Sequence, residues 1–175
     1  MQGLKNACFM SETRVFTPAG TCKIYQLLVG DLVLSRCEKT GQQGYRRVTK
    51  KFEHECEGQC VIDYVSENGV EGAVYTTDEH PFRVDGIGWV PAGELKVGQK
   101  LLIIDPFVDP NDENLTTRLI KSGKLSTAEI TGIRRENTVV YLSDGICKST
   151  VYNIEVEEFH TYFVELCGIL VHDTK

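Results

Sequence analysis

The residues able to do chemistry gather toward the two ends of the chain. Near one end a thiol, Cys8, precedes Phe9; at the other an imidazole, a carboxylate and a hydroxyl follow one another as His172-Asp173-Thr174. A thiolate attacks carbonyl carbon readily, and an imidazole moves protons near neutral pH. A hydroxyl needs an activating neighbour to do the same. Groups placed in this way suit chemistry on the backbone at both ends. Between them, Thr77-Asp78-Glu79-His80 sets a hydroxyl and an imidazole three residues apart, ahead of Pro81. The proline prevents a regular helix from continuing, so both side chains can face one backbone site. Taken alone, that spacing reads more readily as a core histidine with its hydrogen bonds satisfied.

Other reactive side chains fit less well. His54, Cys56 and Cys60 form His-x-Cys-x-x-x-Cys, half of a zinc pattern; Cys147 and Cys167 supply no Cys-x-x-Cys to complete it. The plainer reading is surface strand residues with an incidental thiol. Cys22, Cys37, Cys147 and Cys167 stand in or beside apolar strands and read as small buried hydrophobes. The chain has no nucleotide loop, no Gly-x-Ser-x-Gly and no His-Glu-x-x-His. A cysteine hydrolase using Cys8 with His80 or His160 would leave unexplained why a thiol opens the domain and a His-Asp pair closes it.

The elements that must position these groups are short strands. In Val151–Thr174, Tyr152, Ile154 and Val156 alternate with Asn153, Glu155 and Glu157, the period of a half-buried strand. Glu157-Glu158 marks a turn, His160–Leu166 is a second strand, Cys167-Gly168 breaks it, and Ile169–Val171 is a third. Strands are also expected over Thr13–Thr17, Asp31–Arg36, Arg47–His54, Phe82–Val84, Gly88–Val90, Ser126–Ile133 and Thr138–Leu142. Cys60–Ser66 and Gly72–Thr77 should pair across Asn68-Gly69, a strong hairpin signal. Ile24–Leu28 reads as a short turn or helix, and Gly41–Gly44 as a turn. No window of a dozen residues has convincing helical periodicity, and Asp105–Lys124, rich in Pro, Asn and Asp, reads as a long surface loop. One repeat stands out: QLLVGDLVLS at Gln26–Ser35 and ELKVGQKLLI at Glu94–Ile103. It is either a recurrent turn-strand cassette or a duplicated β subdomain, each glycine taking the positive φ of a tight turn.

At 175 residues the chain fits one domain, with ordinary hydrophobic (41%) and charged (25%) fractions. A net charge of −6 without a basic run argues against a nucleic-acid partner. No apolar stretch reaches the length of a membrane span. The opening residues show no signal-peptide core, and seven cysteines, an odd number, suggest reduced thiols in the cytoplasm or another intracellular compartment.

Taken in order, these motifs resemble the Hint family of inteins, bacterial intein-like domains and hedgehog autoprocessing domains. Cys8-Phe9 with Thr13 and Gly30-Asp31 resembles the N-terminal splicing block, and Thr77-x-x-His80 the block that follows. Val151-Tyr152-Asn153 through Val156-Glu157 to His160-Thr161-Tyr162, and Gly168 through His172-Asp173, resemble the two C-terminal blocks. The resemblance implies an all-β horseshoe with a pseudo-two-fold axis. It divides the chain into a flank at 1–7, an autoprocessing domain at 8–173 and a flank at 174–175. The 105–124 loop falls where larger inteins carry a homing endonuclease and is far too short for one.

The resemblance also implies roles: Cys8 as first nucleophile, Thr77 and His80 at its peptide bond, Asn153 and His160 between the junctions, His172 at the last carbonyl, Thr174 as second nucleophile. Two positions depart from the intein pattern, Asn153 where Asp is usual and Asp173 where the terminal Asn is usual. No cofactor and no metal are expected. The partners are flanking segments of the same chain, which in this family include ubiquitin-like modules and bacterial secreted proteins, and a monomer is expected. Two alternatives stay open: hedgehog-type transfer of the thioester to an external nucleophile, and a zinc-binding interaction module on His54, Cys56 and Cys60.

Overall fold

The computed structural model describes residues 7–56, 58–106, 111, 114–137, 140–142, 145–147 and 149–173. Within them lie β1 (Phe9–Met10), β2 (Arg14–Thr17), β3 (Gly20–Lys23), β4 (Leu32–Arg36), β5 (Gln43–Cys56), β6 (Gly58–Ser66), β7 (Glu71–Thr76) and β8 (Pro81–Val84). They continue with β9 (Gly88–Pro91), β10 (Lys100–Ile103), α1 (Leu115–Ser122), β11 (Ser126–Asn137), β12 (Val140–Leu142), β13 (Gly145–Cys147), β14 (Ser149–Val156), β15 (Thr161–Val164) and β16 (Ile169–His172). Fourteen strands form one open antiparallel sheet in the order β3-β2-β15-β16-β8-β10-β11-β6-β7-β1-β14-β5-β4, with β9 on β8; β12 and β13 pair separately. The architecture is all-β and the large sheet does not close on itself.

In β14 the expected half-buried alternation gives way to burial on both faces: Asn153, Ile154, Glu155 and Val156 are all buried, because the strand runs between β1 and β5 inside the sheet. The hairpin predicted at Asn68-Gly69 forms, with β6 and β7 in register from Cys60↔Thr76 to Val65↔Glu71. Gly72 stands opposite Tyr64, whose ring occupies the space a Cβ would need, 2.5 Å from the hydroxyl oxygen. An aromatic ring thereby covers backbone that glycine leaves bare.

The Leu-x-Val-Gly repeat is a duplication at the level of individual hydrogen bonds. Gly30 N–H donates to the Val48 carbonyl at 2.8 Å, and Val48 N–H to Asp31 at 2.8 Å; Gly98 N–H donates to Ile130 at 2.9 Å, and Ile130 N–H to Gln99 at 2.9 Å. The Asp31 carboxylate caps Leu28 N–H as the Gln99 amide caps Lys96 N–H. Both glycines have positive φ, 98° and 93°, a region L side chains rarely enter. Each turn follows a single 3₁₀ turn, at Ile24–Gln26 and Ala92–Glu94. Ahead of these, Ile24 N–H bonds the Thr13 carbonyl and Ala92 N–H the His80 carbonyl. His80 in one half therefore occupies the backbone place of Thr13 in the other.

The main core, with Phe9, Ile62, Tyr64, Phe82, Leu101, Ile130 and Tyr162, takes residues from strands along nearly the whole described chain. Each large apolar side chain buried there stabilises the fold by about 1.5–3 kcal/mol. A second cluster, Phe16, Leu34, Ile104, Phe163 and Leu170, is covered by Leu119 and Ile120 of α1 and by Trp89.

Several expectations need correction. The 105–124 stretch contains the helix α1, which has no Gly or Pro until Gly123 closes it in the left-handed conformation at φ 66°. At eight residues it is too short to show periodicity in a long window; its apolar pair, Leu119 and Ile120, forms because the second core needs a cover. β5 extends well beyond 47–54, and Gly44 pairs with Ser35 inside the ladder rather than turning. Cys22 and Cys37 are partly exposed, whereas Cys60 is a core residue. Cys37 follows the end of β4 where the chain leaves the sheet, so it is only partly covered. The side chain of Cys147 lies outside the described residues.

Candidate active site

β1 is two residues long, yet it holds the chain just after the Ala7–Cys8 peptide, the first candidate junction, between two full strands. Phe9 pairs with Thr76 of β7 on one side and with Tyr152 of β14 on the other. The preceding peptide is gripped by the end of β7. Cys8 N–H donates to Thr77 Oγ1 at 2.9 Å, Thr77 N–H donates to the Cys8 carbonyl at 2.9 Å, and Thr76 Oγ1 donates to that carbonyl at 3.2 Å. Ala7 and Cys8 are both buried. The bond between them is thus fixed on its amide side by two adjacent threonines.

His80 stands beside this bond. The chain turns from Thr77 to His80, and Pro81 then starts β8. The imidazole is completely buried, with Phe9 at 4.0 Å between ring centroids and Phe82 and Tyr162 near 6 Å. Burial in this aromatic cage pushes its pKa from 6.5 down to about 3, and His172 nearby lowers it further; the backbone of His172 and of Ala7 each pull the other way. A backbone group that favours a proton on the ring is a carbonyl, so the ring is flanked by carbonyls from the two ends of the domain. Neither ring nitrogen closes a full hydrogen bond in this state. Burial also pushes the Cys8 thiol up to about 12, with Cys56 and Glu79 adding to it. Thiol and imidazole are both neutral at pH 7.

The other junction is polar. Asp173 is 1% exposed at the end of β16. Its Oδ2 accepts Val156 N–H at 2.9 Å and lies 3.0 Å from His160 Nδ1. Asp173 N–H donates to the His160 carbonyl at 2.8 Å. His160 reaches both groups from a left-handed backbone, φ 56°, which costs a non-glycine residue about 1–2 kcal/mol. His172 Nδ1 lies 2.9 Å from the carbonyl oxygen of Asp173. A carbonyl can only accept, so the proton of that bond sits on Nδ1. The carbonyl it meets belongs to the 173–174 bond; Thr174 itself lies outside the described residues.

Asn153 and Tyr162 bridge the two junctions. Asn153 follows Tyr152, the ladder partner of Phe9, and its Oδ1 accepts the Tyr162 hydroxyl at 2.6 Å and Ile154 N–H at 2.8 Å. The fully buried phenol is held well above its usual pKa by burial, with Cys8 and Asp173 both contributing. Cys8, Thr77, His80, Asn153, His160, His172 and Asp173 are therefore brought to one region. Tyr162 and Thr76 belong there too and escaped sequence reasoning. Thr76 adjoins Thr77, and Tyr162 is the polar-tipped aromatic of the strand after His160; each was visible as a residue, neither as a partner. His54, Cys56 and Cys60 do not converge: the described residues contain no group of three His, Cys, Asp or Glu placed to hold a metal, and Cys60 is packed into the core. No helix among the described residues is long and apolar enough to cross a membrane.

An open antiparallel sheet that brings Ala7 and His172 to one buried histidine fits the Hint class, the fold of protein splicing and autoprocessing. The chain belongs to the pretoxin HINT domain family, whose pattern it matches over residues 14–110, more than half its length. It is similar to the solution structure of a bacterial intein-like domain from Clostridium thermocellum, at 25% identity and a TM-score of 0.71 over 95% of this chain and 98% of that one. The DnaX mini-intein from Spirulina platensis matches at 21% identity and 0.65 over 95% and 99%. A DnaB intein from Synechocystis sp. PCC 6803 matches at 15% and 0.64 over 95% and 98%. No curated protein matches the chain in sequence. A domain of this class acts within a precursor, on the segments that flank it.

Proposed function

We propose that the domain, spanning residues 8–173, rearranges its own backbone at the 7–8 and 173–174 bonds, giving splicing, junction cleavage or both. The observation that carries this reading is the Cys8 N–H held by Thr77 Oγ1 with the fully buried His80 ring packed on Phe9 beside it. In the first step Cys8 Sγ attacks the Ala7 carbonyl carbon. The S–C bond forms, the C–N bond breaks, and the thiol proton ends on the Cys8 nitrogen. A neutral imidazole can carry that proton, taking it on one nitrogen and giving it from the other. The Thr77 hydroxyl, which accepts Cys8 N–H, orients the scissile amide. A thiol near 12 is no free thiolate at pH 7, so deprotonation has to accompany attack.

Thr174 Oγ would next attack the Ala7–Cys8 thioester, forming an ester and returning a proton to sulfur. At the far junction an Asp173 oxygen attacks its own carbonyl carbon, the bond to the Thr174 nitrogen breaks as that nitrogen takes a proton from the His172 ring, and the resulting anhydride adds water, whose proton returns to the ring, to restore Asp. His172 Nδ1–H polarises that carbonyl. The burial of Asp173 among His160, His172 and Val156 favours this reading over thioester transfer to an external nucleophile, which would give the C-terminal groups nothing to do. Dependence on a free thiol supports a reducing, intracellular setting. The test is mass spectrometry of a full-flank precursor treated with dithiothreitol. The segment ahead of Cys8 should leave wild type and stay attached in Cys8→Ala; equal release from both would refute the assignment.

A further inference from the structure

We propose that Trp89 is a positioning residue for the C-terminal junction: Glu38 and Arg83 clamp its indole, which holds the His172 ring with Nδ1 on the carbonyl of the 173–174 bond. The inference rests on the reading of that junction given above. Trp89 lies opposite Arg83 in the β8–β9 hairpin, in the half of the molecule that carries His80. Its indole has three partners from three separate segments. Nε1–H donates to the Glu38 carboxylate, just beyond β4. The Arg83 guanidinium lies 5.5 Å from the ring centroid. The His172 ring meets it edge to face, 5.1 Å between centroids at 87°. A half-buried tryptophan with one partner can swing between rotamers, whereas three directional contacts leave it one orientation.

His172 needs such a support. The backbone of β16 is fixed by Thr161↔His172 and Val171↔Phe82, but the side chain is 19% exposed and its bond to the Asp173 carbonyl is local, open to competition from water. The same Nδ1 is 3.6 Å from Asp173 Oδ1, so a small ring rotation would move the donor from the scissile carbonyl to the neighbouring carboxylate. The indole blocks that rotation from the side. Trp89 also packs on the second core cluster with Leu170, two residues before His172 on the same face of β16, so the clamp is anchored in the fold.

The experiment follows both junctions in full-flank precursors of wild type, Trp89→Ala, Trp89→Phe, Glu38→Gln and His172→Ala. Trp89→Ala should slow cleavage at 173–174 about tenfold or more, the scale of a misplaced catalytic contact. Dithiothreitol release at Cys8 should stay within about twofold, since that junction keeps its own contacts. Trp89→Phe, which keeps an aromatic ring, and Glu38→Gln, which keeps an acceptor, should recover most of the C-terminal rate. Nitrogen NMR of the His172 ring should show the Nδ1–H tautomer in wild type and Trp89→Phe and a mixture in Trp89→Ala. Equal losses at both junctions would make Trp89 merely structural and overturn the proposal. If His172→Ala abolishes C-terminal cleavage while Trp89→Ala leaves it intact, the clamp alone is wrong. If His172→Ala has no effect, the junction reading fails and the clamp with it.

Discussion

The two junctions of this domain sit in one region and are built on opposite principles. At the first, Cys8 and His80 are enclosed by Phe9, Phe82 and Tyr162, and desolvation keeps thiol and imidazole uncharged. At the second, Asp173 is equally buried but lies among polar partners: a backbone N–H from β14, the His160 ring and the His172 ring. The contrast separates two kinds of control. On the proposed mechanism, the first junction is limited by how costly it is to create charge in an apolar cage. The second already has its acceptor oxygen partnered, by Val156 N–H and the His160 ring, and on that mechanism is limited by which atom stands ready to attack.

The largest effect should come from the first junction. Removing the His80 ring deletes the proton carrier between thiol and amide while Thr76 and Thr77 still hold the peptide. His80→Ala should lower dithiothreitol-induced release by about 10²-fold or more, the usual scale for general acid–base catalysis. His54→Ala should change little, since His54 lies on β5, with β14 between it and β1, and its Nε2 makes no hydrogen bond. Comparable losses for the two would assign the effect to folding.

A smaller gain is expected at the second. Val156 N–H and His160 hold one Asp173 oxygen, while the other lies toward His172. An Asn side chain would offer its carbonyl oxygen to the same donors and turn its amide nitrogen to the second position. Asp173→Asn therefore keeps the site and replaces anhydride formation with the easier succinimide closure. Cleavage at 173–174 should accelerate about tenfold, with succinimide or Asn at the new terminus read by mass. An unchanged rate and product pattern would shift the limit to Asn153, or to the distance between the ends.

These two sites were unequally legible in the sequence. Local patterns announced the fold: strand alternation, Asn68-Gly69, and the paired Leu-x-Val-Gly turns, whose glycines carry the positive φ their spacing implied. The helix α1 was hidden because eight residues offer two turns of pattern, and its cover of the second core is a tertiary fact. The titrating residues could be named from their order along the chain. Their partners could not: Trp89 is separated from His172 by 83 residues, and nothing local links them. That Asp173 is tied to β14 depends on how β16 ends against the sheet. The protonation states were illegible for the same reason. A cysteine near a carboxylate in sequence gives no sign of a thiol raised to about 12, because the raising comes from burial.

The smallest expected effect, on stability, sharpens the contrast further because burial at the first junction shifts both His80 and Cys8. His80 falls from 6.5 to about 3 on folding. A group whose pKa is lower in the folded state contributes stability that is present above its unfolded pKa. That contribution is lost as pH falls through 6.5 toward 3, at up to about 1.4 kcal/mol per pH unit. Cys8 does the reverse at the alkaline side: its pKa rises from 9 to about 12 on folding. Its contribution is therefore complete below about 9 and lost as pH climbs toward 12. The melting temperature of wild type should then fall by roughly 5–10 °C between pH 7 and pH 4 through His80, on a scale of about 2–4 °C per kcal/mol for a domain of this size. His80→Phe, filling the aromatic cage with a ring that cannot be protonated, should flatten the acid limb and leave the alkaline limb. Cys8→Ala should do the opposite. An acid limb that survives His80→Phe in full would mean that the neutral imidazole costs nothing to protonate where it stands, and that the apolar cage does not control the first junction.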